Sequence, residues 1–250
     1  MTKVLKIGGS ILSDKTREAT ALPGAIQRMA EEIAANASDL VLVHGAGSFG
    51  HVPARKFGLP ERFNPKALRE THRSVVQLND LVVEALSRAG ARPMPVHPFS
   101  CTLLKEGRIE SLTVEPIVEM VKRGLLPVLH GDVAMDRVRG AGIVSGDQLV
   151  PYLGRALGAE VVAVGTNVDG VLVSGKPLQA ITREDLPSII RDVGGSMGVD
   201  VTGGMLGKLQ ELLNLADEGI SSVIFNASNA GNIARALKGE SLGTMVRGSN

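Results

Sequence analysis

Short stretches of this 250-residue chain set phosphate-handling groups at spacings that chemistry can use. KIGGS, Lys6 to Ser10, puts a lysine before a glycine pair at a strand exit. Gly8 and Gly9 let the backbone approach a ligand and offer N–H groups to phosphate oxygens, while Lys6 adds a point charge. A tight turn beside a surface lysine fits the same residues. Lys15, in LSDK, adds little by itself. DVTGGMLGKLQ is more specific: Thr202, Gly203 and Gly204 precede a helix whose first turns carry Lys208, so helix N–H groups and an ammonium face one ligand space. In GIVSGDQL, Asp147 opens a helix, where Ser, Gly and Asp are ordinary residues with or without a chemical role.

LVLVHGAGSFGH, Leu40 to His51, carries Gly45, Gly47 and Gly50 at the GxGxxG spacing of dinucleotide-binding folds. That reading needs a helix starting inside the motif and a second strand ending in Asp or Glu about 20 residues on. Residues 51 to 65 contain Pro53, Pro60 and Pro65 and show no helical period, and Glu70 falls within a helical stretch, so neither is expected. What remains is a strand followed by backbone donors at small residues, an anion loop with His51 at its rim. His51 there either donates to a phosphate or caps a turn.

These loops need strands to hold them, and apolar runs alternate with helical stretches along the chain. KVLKIGG, LVLVHG, ARPMPVHP, GLLPVLHGD, AEVVAVGT, SSVIFNA and GTMV read as strands. Helices are expected over Pro23 to Asn36, Pro65 to Ala89, Glu115 to Lys122, GDQLVPYLGRALG with a bend or break near Pro151, GGMLGKLQELLNLADEG and NIARALKG. Residues 50 to 65 are expected to be irregular, and VGTNVDGVLV to be a strand, a polar turn and a return strand, as in a hairpin. The alternation predicts an α/β protein with a mostly parallel sheet covered on both faces. A mild division near residue 158 would separate two lobes of one continuous sheet, and each glycine cluster falls where such sheets bind ligands.

Composition narrows the classes. A net charge of +1, no Trp, one Tyr and five Phe argue against backbone-led or stacking nucleic-acid binding. Cys101 is the only cysteine, no run approaches the length of a membrane span, and the N-terminus reads as no signal peptide, so a soluble, cytoplasmic protein is expected. The five histidines, His44, His51, His72, His97 and His130, are scattered in sequence without zinc-ligand spacing. No nucleophile elbow between a strand and a helix is read, and GxxxxGK[ST] is absent.

In order, KIGGS, VHGAGSFGH, HGDV, SGD, TNVDG and DVTGGMLGK resemble the amino acid kinase superfamily over nearly the whole chain, and the HGxGSFGH loop resembles its isopentenyl phosphate kinases. The resemblance implies an open αβα sandwich, usually homodimeric. Residues 1–158 would form an acceptor-binding lobe and residues 159–250 a lobe binding ATP and Mg²⁺. It implies that Lys6, Lys15 and Lys208 surround the transferring phosphoryl group and that Asp147 holds the lysines. Gly8, Gly9, Ser10 and Gly47 would meet the ATP phosphates, Ala46, His51 and Gly146 the acceptor phosphate, and Thr166, Asn167, Asp169, Gly170 and Gly203 the nucleotide. Ala46 replaces a glycine common in relatives, so this loop must avoid positive φ there. Asn167 replaces a common aspartate, which weakens any magnesium role for that turn.

The chemistry of a phosphate acceptor agrees. A phosphate monoester, with a second pKa of about 6, is its own nucleophile, so the missing general base is expected. Charge compensation is what the reaction needs. Val75, Val76, Leu78, Asn79 and Val82 could wall an apolar substrate tail, though plain packing explains each. Competing readings are a kinase of the same family acting on acetylglutamate, UMP or fosfomycin, and a non-catalytic nucleotide binder.

Overall fold

The computed structural model describes residues 2–14, 16–56, 59, 63–173, 175–194 and 203–249. In chain order the elements are β1 (Lys3–Ile7), α1 (Gly9–Leu12), α2 (Pro23–Ala34), β2 (Leu40–His44), α3 (Gly47–Lys56), α4 (Pro65–Arg88), β3 (Pro93–Pro95), α5 (Pro98–Cys101), β4 (Thr102–Lys105), β5 (Arg108–Leu112), α6 (Glu115–Lys122), β6 (Leu126–His130), β7 (Asp132–Asp136) and β8 (Gly140–Val144). They continue with α7 (Gly146–Ala156), β9 (Val161–Thr166), β10 (Leu172–Val173), β11 (Lys176–Pro177), β12 (Ala180–Ile181), α8 (Leu186–Gly194), α9 (Gly203–Ala216), β13 (Ser222–Asn226), α10 (Asn232–Leu237) and β14 (Thr244–Val246).

The main sheet has eight strands in the order β12-β14-β13-β9-β1-β2-β6-β3, all pairs parallel except β13–β14. Because β9 pairs with both β1 and β13, the sheet crosses residue 158 without a break. Period-two alternation sorts its side chains. From β1, Val4 joins Val41, Val43, Leu149 and Leu209 on the face covered by α7 and α9. Leu5 and Ile7 join Met29, Leu78, Val82 and Phe225 on the face covered by α2, α4 and α10. The sandwich expected from the alternation of elements is therefore present, with its core divided by the sheet.

Caps fix the helix that matters most. Asn64 accepts from Lys66 N and Ala67 N at 3.0 and 3.1 Å, Pro65 starts α4, and Gly90 at φ 90° lets the chain leave it. A second, four-stranded sheet, β5-β4-β7-β8, lies beyond the end of β6. Among the described residues no helix is long and apolar enough to cross a membrane.

Three expectations are corrected. Residues 50 to 65 are not wholly irregular, because α3 begins in the glycine motif and runs through Pro53. Burial of Phe49 in the main core and Ala54 in a small cluster with Leu68 and Val133 outweighs the one helical hydrogen bond that Pro53 forfeits. A helix therefore does start in GAGSFGH, and the dinucleotide reading fails on its other requirement alone: Glu70 lies inside α4 rather than at a strand end. Second, Leu172–Val173 pairs forward with Lys176–Pro177 and not back with β9, so VGTNVDGVLV is no hairpin. Third, α7 runs unbroken through Pro151.

Candidate active site

A cavity of about 350 Å³ opens at the carboxyl ends of β1, β2, β6 and β9. Lys6, Gly8, Gly9, Ser10, Gly45, Ala46, Gly47, His51, Gly146, Asp147, Thr166, Asn167 and Lys208 line it. Most of the residues singled out from sequence thus meet in one place. Asp169 and Gly170 do not line it: Asp169 accepts from Asn226 at 2.8 Å and Gly170 packs on Thr244, while Gly203 starts α9. Lys15 lies outside the described residues.

Strand parity explains the central ion pairs. Lys6 has the parity of Val4, so it points to the α7 face, where α7 presents Asp147 in its first turn. Lys6 Nζ donates to Asp147 Oδ1 at 2.5 Å, and Lys208 Nζ, from α9, donates to the same oxygen at 2.6 Å. Gly146 makes room for this: a Cβ there would lie 3.0 Å from Lys6 Cε. Burial, with Lys6 only 5% exposed, pushes its ammonium down to about 8, and Lys208 adds to the fall while Asp147 opposes it. Burial works to raise the Asp147 carboxyl, but the two ammonium groups outweigh it and hold the group below the usual carboxylate range. Three elements distant in sequence thus hold two cations on one carboxylate, poised to turn toward an incoming anion.

Two glycine turns interlock beside this triad. A Cβ on Gly9 would overlap the Gly47 amide nitrogen, and one on Gly45 would overlap the Gly9 nitrogen. Ser13 pins the pair together, its hydroxyl donating to Gly9 O at 2.9 Å and accepting from Ser48 N at 2.9 Å. The positive φ falls on Gly47, at 53°, and not on Ala46, as the alanine requires. Gly131 adds clearance, since a Cβ there would lie 3.3 Å from the Ala46 amide nitrogen.

The opposite wall is apolar. Ala54, Val75, Val133, Ile143 and Val144 line the cavity with Thr71. Of the α4 candidates, Val75 reaches the cavity, Leu78 and Val82 are core, and Asn79 Oδ1 accepts from His44 Nε2 at 3.0 Å. Sequence order also hides a cluster: four of the five histidines are not scattered in space. His44 and His130 are register partners at the ends of β2 and β6, with rings stacked 5.7 Å apart; His97 Nδ1 lies 2.9 Å from His130 Nε2, and His72 sits edge-on to His97 at 5.8 Å. Burial drives His44 down and His130 down to about 4, so both are neutral. Among the described residues no group of three or more His, Cys, Asp or Glu is placed to hold a metal ion.

An open αβα sheet with lysines and glycine turns at its strand ends defines a protein that handles phosphate. The chain belongs to the amino acid kinase family, whose model matches residues 1–226. Within that family it is 36% identical to an isopentenyl phosphate kinase of Methanocaldococcus jannaschii, covering 98% of each chain. A solved isopentenyl phosphate kinase structure covers 98% of this chain and 100% of its own, with a TM-score of 0.84 and 33% identity. An acetylglutamate kinase of Roseiflexus castenholzii stands further off, at 28% identity over 88% of this chain and 86% of its own.

Proposed function

We propose that the protein transfers the γ-phosphoryl group of ATP to isopentenyl phosphate, yielding isopentenyl diphosphate and ADP. One observation carries the reading beyond family likeness: a single cavity joins the Lys6–Asp147–Lys208 triad and the glycine turns to an apolar wall of Ala54, Val75, Val133 and Ile143. An acceptor with an ionic head and a short hydrocarbon tail suits both ends; an amino-acid acceptor has no use for that wall.

In this reading an oxygen of the acceptor phosphate attacks the γ-phosphorus of ATP while the bond to the β-bridging oxygen breaks, and ADP departs with that electron pair. No general base is required, because the nucleophile is already ionised. Lys6 and Lys208 shift hydrogen bonds from Asp147 to the phosphoryl oxygens, with Asp147 keeping both ammonium groups in place. Gly8, Gly9, Ser10 and Gly47 meet the ATP phosphates, and Thr166 and Asn167 border the nucleotide. Lys15 completes the cationic surround, and Asp169, Gly170 and Gly203 lie toward the nucleotide. Ala46, Gly146 and His51 face the acceptor phosphate.

Mg²⁺ belongs to the same reading as the companion of ATP. The nearby carboxylates are committed elsewhere, Asp147 to two lysines, Asp132 to His72 and two backbone amides, and Asp169 to Asn226, so these residues do not form a dedicated magnesium cage. A homodimer, a cytoplasmic setting, and the division into an acceptor lobe to residue 158 and a nucleotide lobe after it complete the proposal. Coupled ADP release tests it: turnover with isopentenyl phosphate is expected, and turnover only with acetylglutamate, UMP or fosfomycin would overturn it.

A further inference from the structure

The HGDV stretch carries an acid that the reaction above does not use. Asp132 has a side chain with 0% exposure yet belongs to the cavity lining. A carboxylate on the wall of a cavity for anions is a liability unless it is compensated. Here it is tied down by donors from three elements. Val133 N donates to Oδ1 at 2.8 Å, Phe99 N from α5 donates to Oδ2 at 3.2 Å, and His72 Nδ1 from α4 stands 3.1 Å from both oxygens. His130 Nδ1 lies 4.0 Å away on the fourth side. Hydrogen bonding to Asp132 lifts the His72 imidazole above its ordinary value against the pull of burial.

The placement on α4 gives the bond a purpose. His72 and Asn79 are seven residues apart, on one helix face, and each bonds to a group at a strand end: His72 to Asp132 at the start of β7, Asn79 to His44 at the end of β2. Val75, the apolar residue of α4 that reaches the cavity, lies between the two clamps, and Thr71 adjoins the first. Packing of Leu78 and Val82 alone would hold the helix near the sheet without fixing where along it Val75 sits. Directional bonds on either side fix that register.

We propose that Asp132 and His72 form a positioning pair that sets the α4 wall of the cavity for the acceptor. This rests on the proposed function, and it assigns the pair no contact with the reacting atoms. His72→Phe removes the α4 donor and leaves the buried carboxylate only its bonds from Val133 N and Phe99 N; Asp132→Asn replaces the carboxylate; His72→Gln keeps a donor. His72→Phe is expected to raise the KM for isopentenyl phosphate about tenfold or more, Asp132→Asn to do so less, and His72→Gln to restore most of the loss, with the KM for ATP within about twofold throughout.

Melting temperatures of the same variants separate positioning from folding. A lower Tm with both KM values unchanged, or both KM values raised alike, makes the pair structural and overturns the inference. Should His72→Phe fail to fold, the contrast between His72→Gln and Asp132→Asn decides on the same KM split. Absence of wild-type turnover with isopentenyl phosphate overturns the functional reading and the pair's role with it, whereas wild-type turnover with equal KM effects overturns the pair alone.

Discussion

Asp147 is the residue on which the charge balance turns, since one of its oxygens holds both Lys6 and Lys208. Asp147→Asn keeps the shape but leaves two ammonium groups facing each other with no anion between them. A kcat lower by about a hundredfold or more is expected in the ADP-release assay, the size seen when one preorganised electrostatic partner is lost. Lys6 adds a pH signature. The folded chain releases its proton near pH 8, while an unfolded lysine keeps it to 10.5, so the unfolded state binds more protons across that window. Conformational stability should therefore rise from about pH 8 to 10.5 as far as Lys6 is concerned, while kcat/KM for ATP falls over the same range because the cation is lost. Urea midpoints and initial rates on one pH series check the opposed slopes; parallel slopes would remove Lys6 from both roles. His51→Ala belongs to this scale too: it should raise the acceptor's KM far more than ATP's. Resemblance to the family reaches these single residues, whereas spacing alone leaves Asp147 an ordinary helix-start residue and His51 a donor or a turn cap. It does not reach His72 and Asp132, whose meeting depends on how a 24-residue helix crosses the sheet.

At the level of elements, Ser13 holds the two glycine turns in contact, and no motif announces it. Ser13→Ala loses one bond in each direction, to Gly9 O and from Ser48 N, leaving a buried amide unpaired. A destabilisation of about 1–3 kcal/mol is expected, read as a lower urea midpoint at unchanged m, together with a higher KM for ATP. The strands of the main sheet are legible because their alternation is clean: LVLVH and LPVLH even share a terminal histidine of the same parity, which, given the parallel register, is what stacks His44 on His130. Short elements escape. α3 is hidden by Pro53, whose local cost is offset by tertiary burial of Phe49 and Ala54. β7 and β8 are five residues each, DVAMD of mixed polarity and GAGIV with two glycines, and their pairing is set by the sheet they build with β4 rather than by their own pattern.

For the whole molecule, the cavity draws its lining from Lys6 near one end of the chain to Lys208 near the other, so a ligand that fills it ties together segments that are separate in the unfolded state. Such a ligand stabilises the fold by mass action, about 2.7 kcal/mol at a concentration of one hundred times its Kd. For a domain of this size that corresponds to a rise in Tm of about 5–10 °C. ATP should produce this shift alone, and isopentenyl phosphate should add to it, since the triad and the apolar wall occupy one cavity. NAD should produce none: GAGSFGH has the dinucleotide spacing and even a helix beginning within it, but α3 leads into α4, and Glu70 is inside that helix rather than at the end of a strand where a ribose would be held. Differential scanning with the three ligands at matched concentrations distinguishes the outcomes. A shift with NAD equal to that with ATP would return the glycine loop to a cofactor role. A shift with ATP that isopentenyl phosphate leaves unchanged, in a preparation that also releases no ADP, would make the chain a nucleotide binder on a kinase fold.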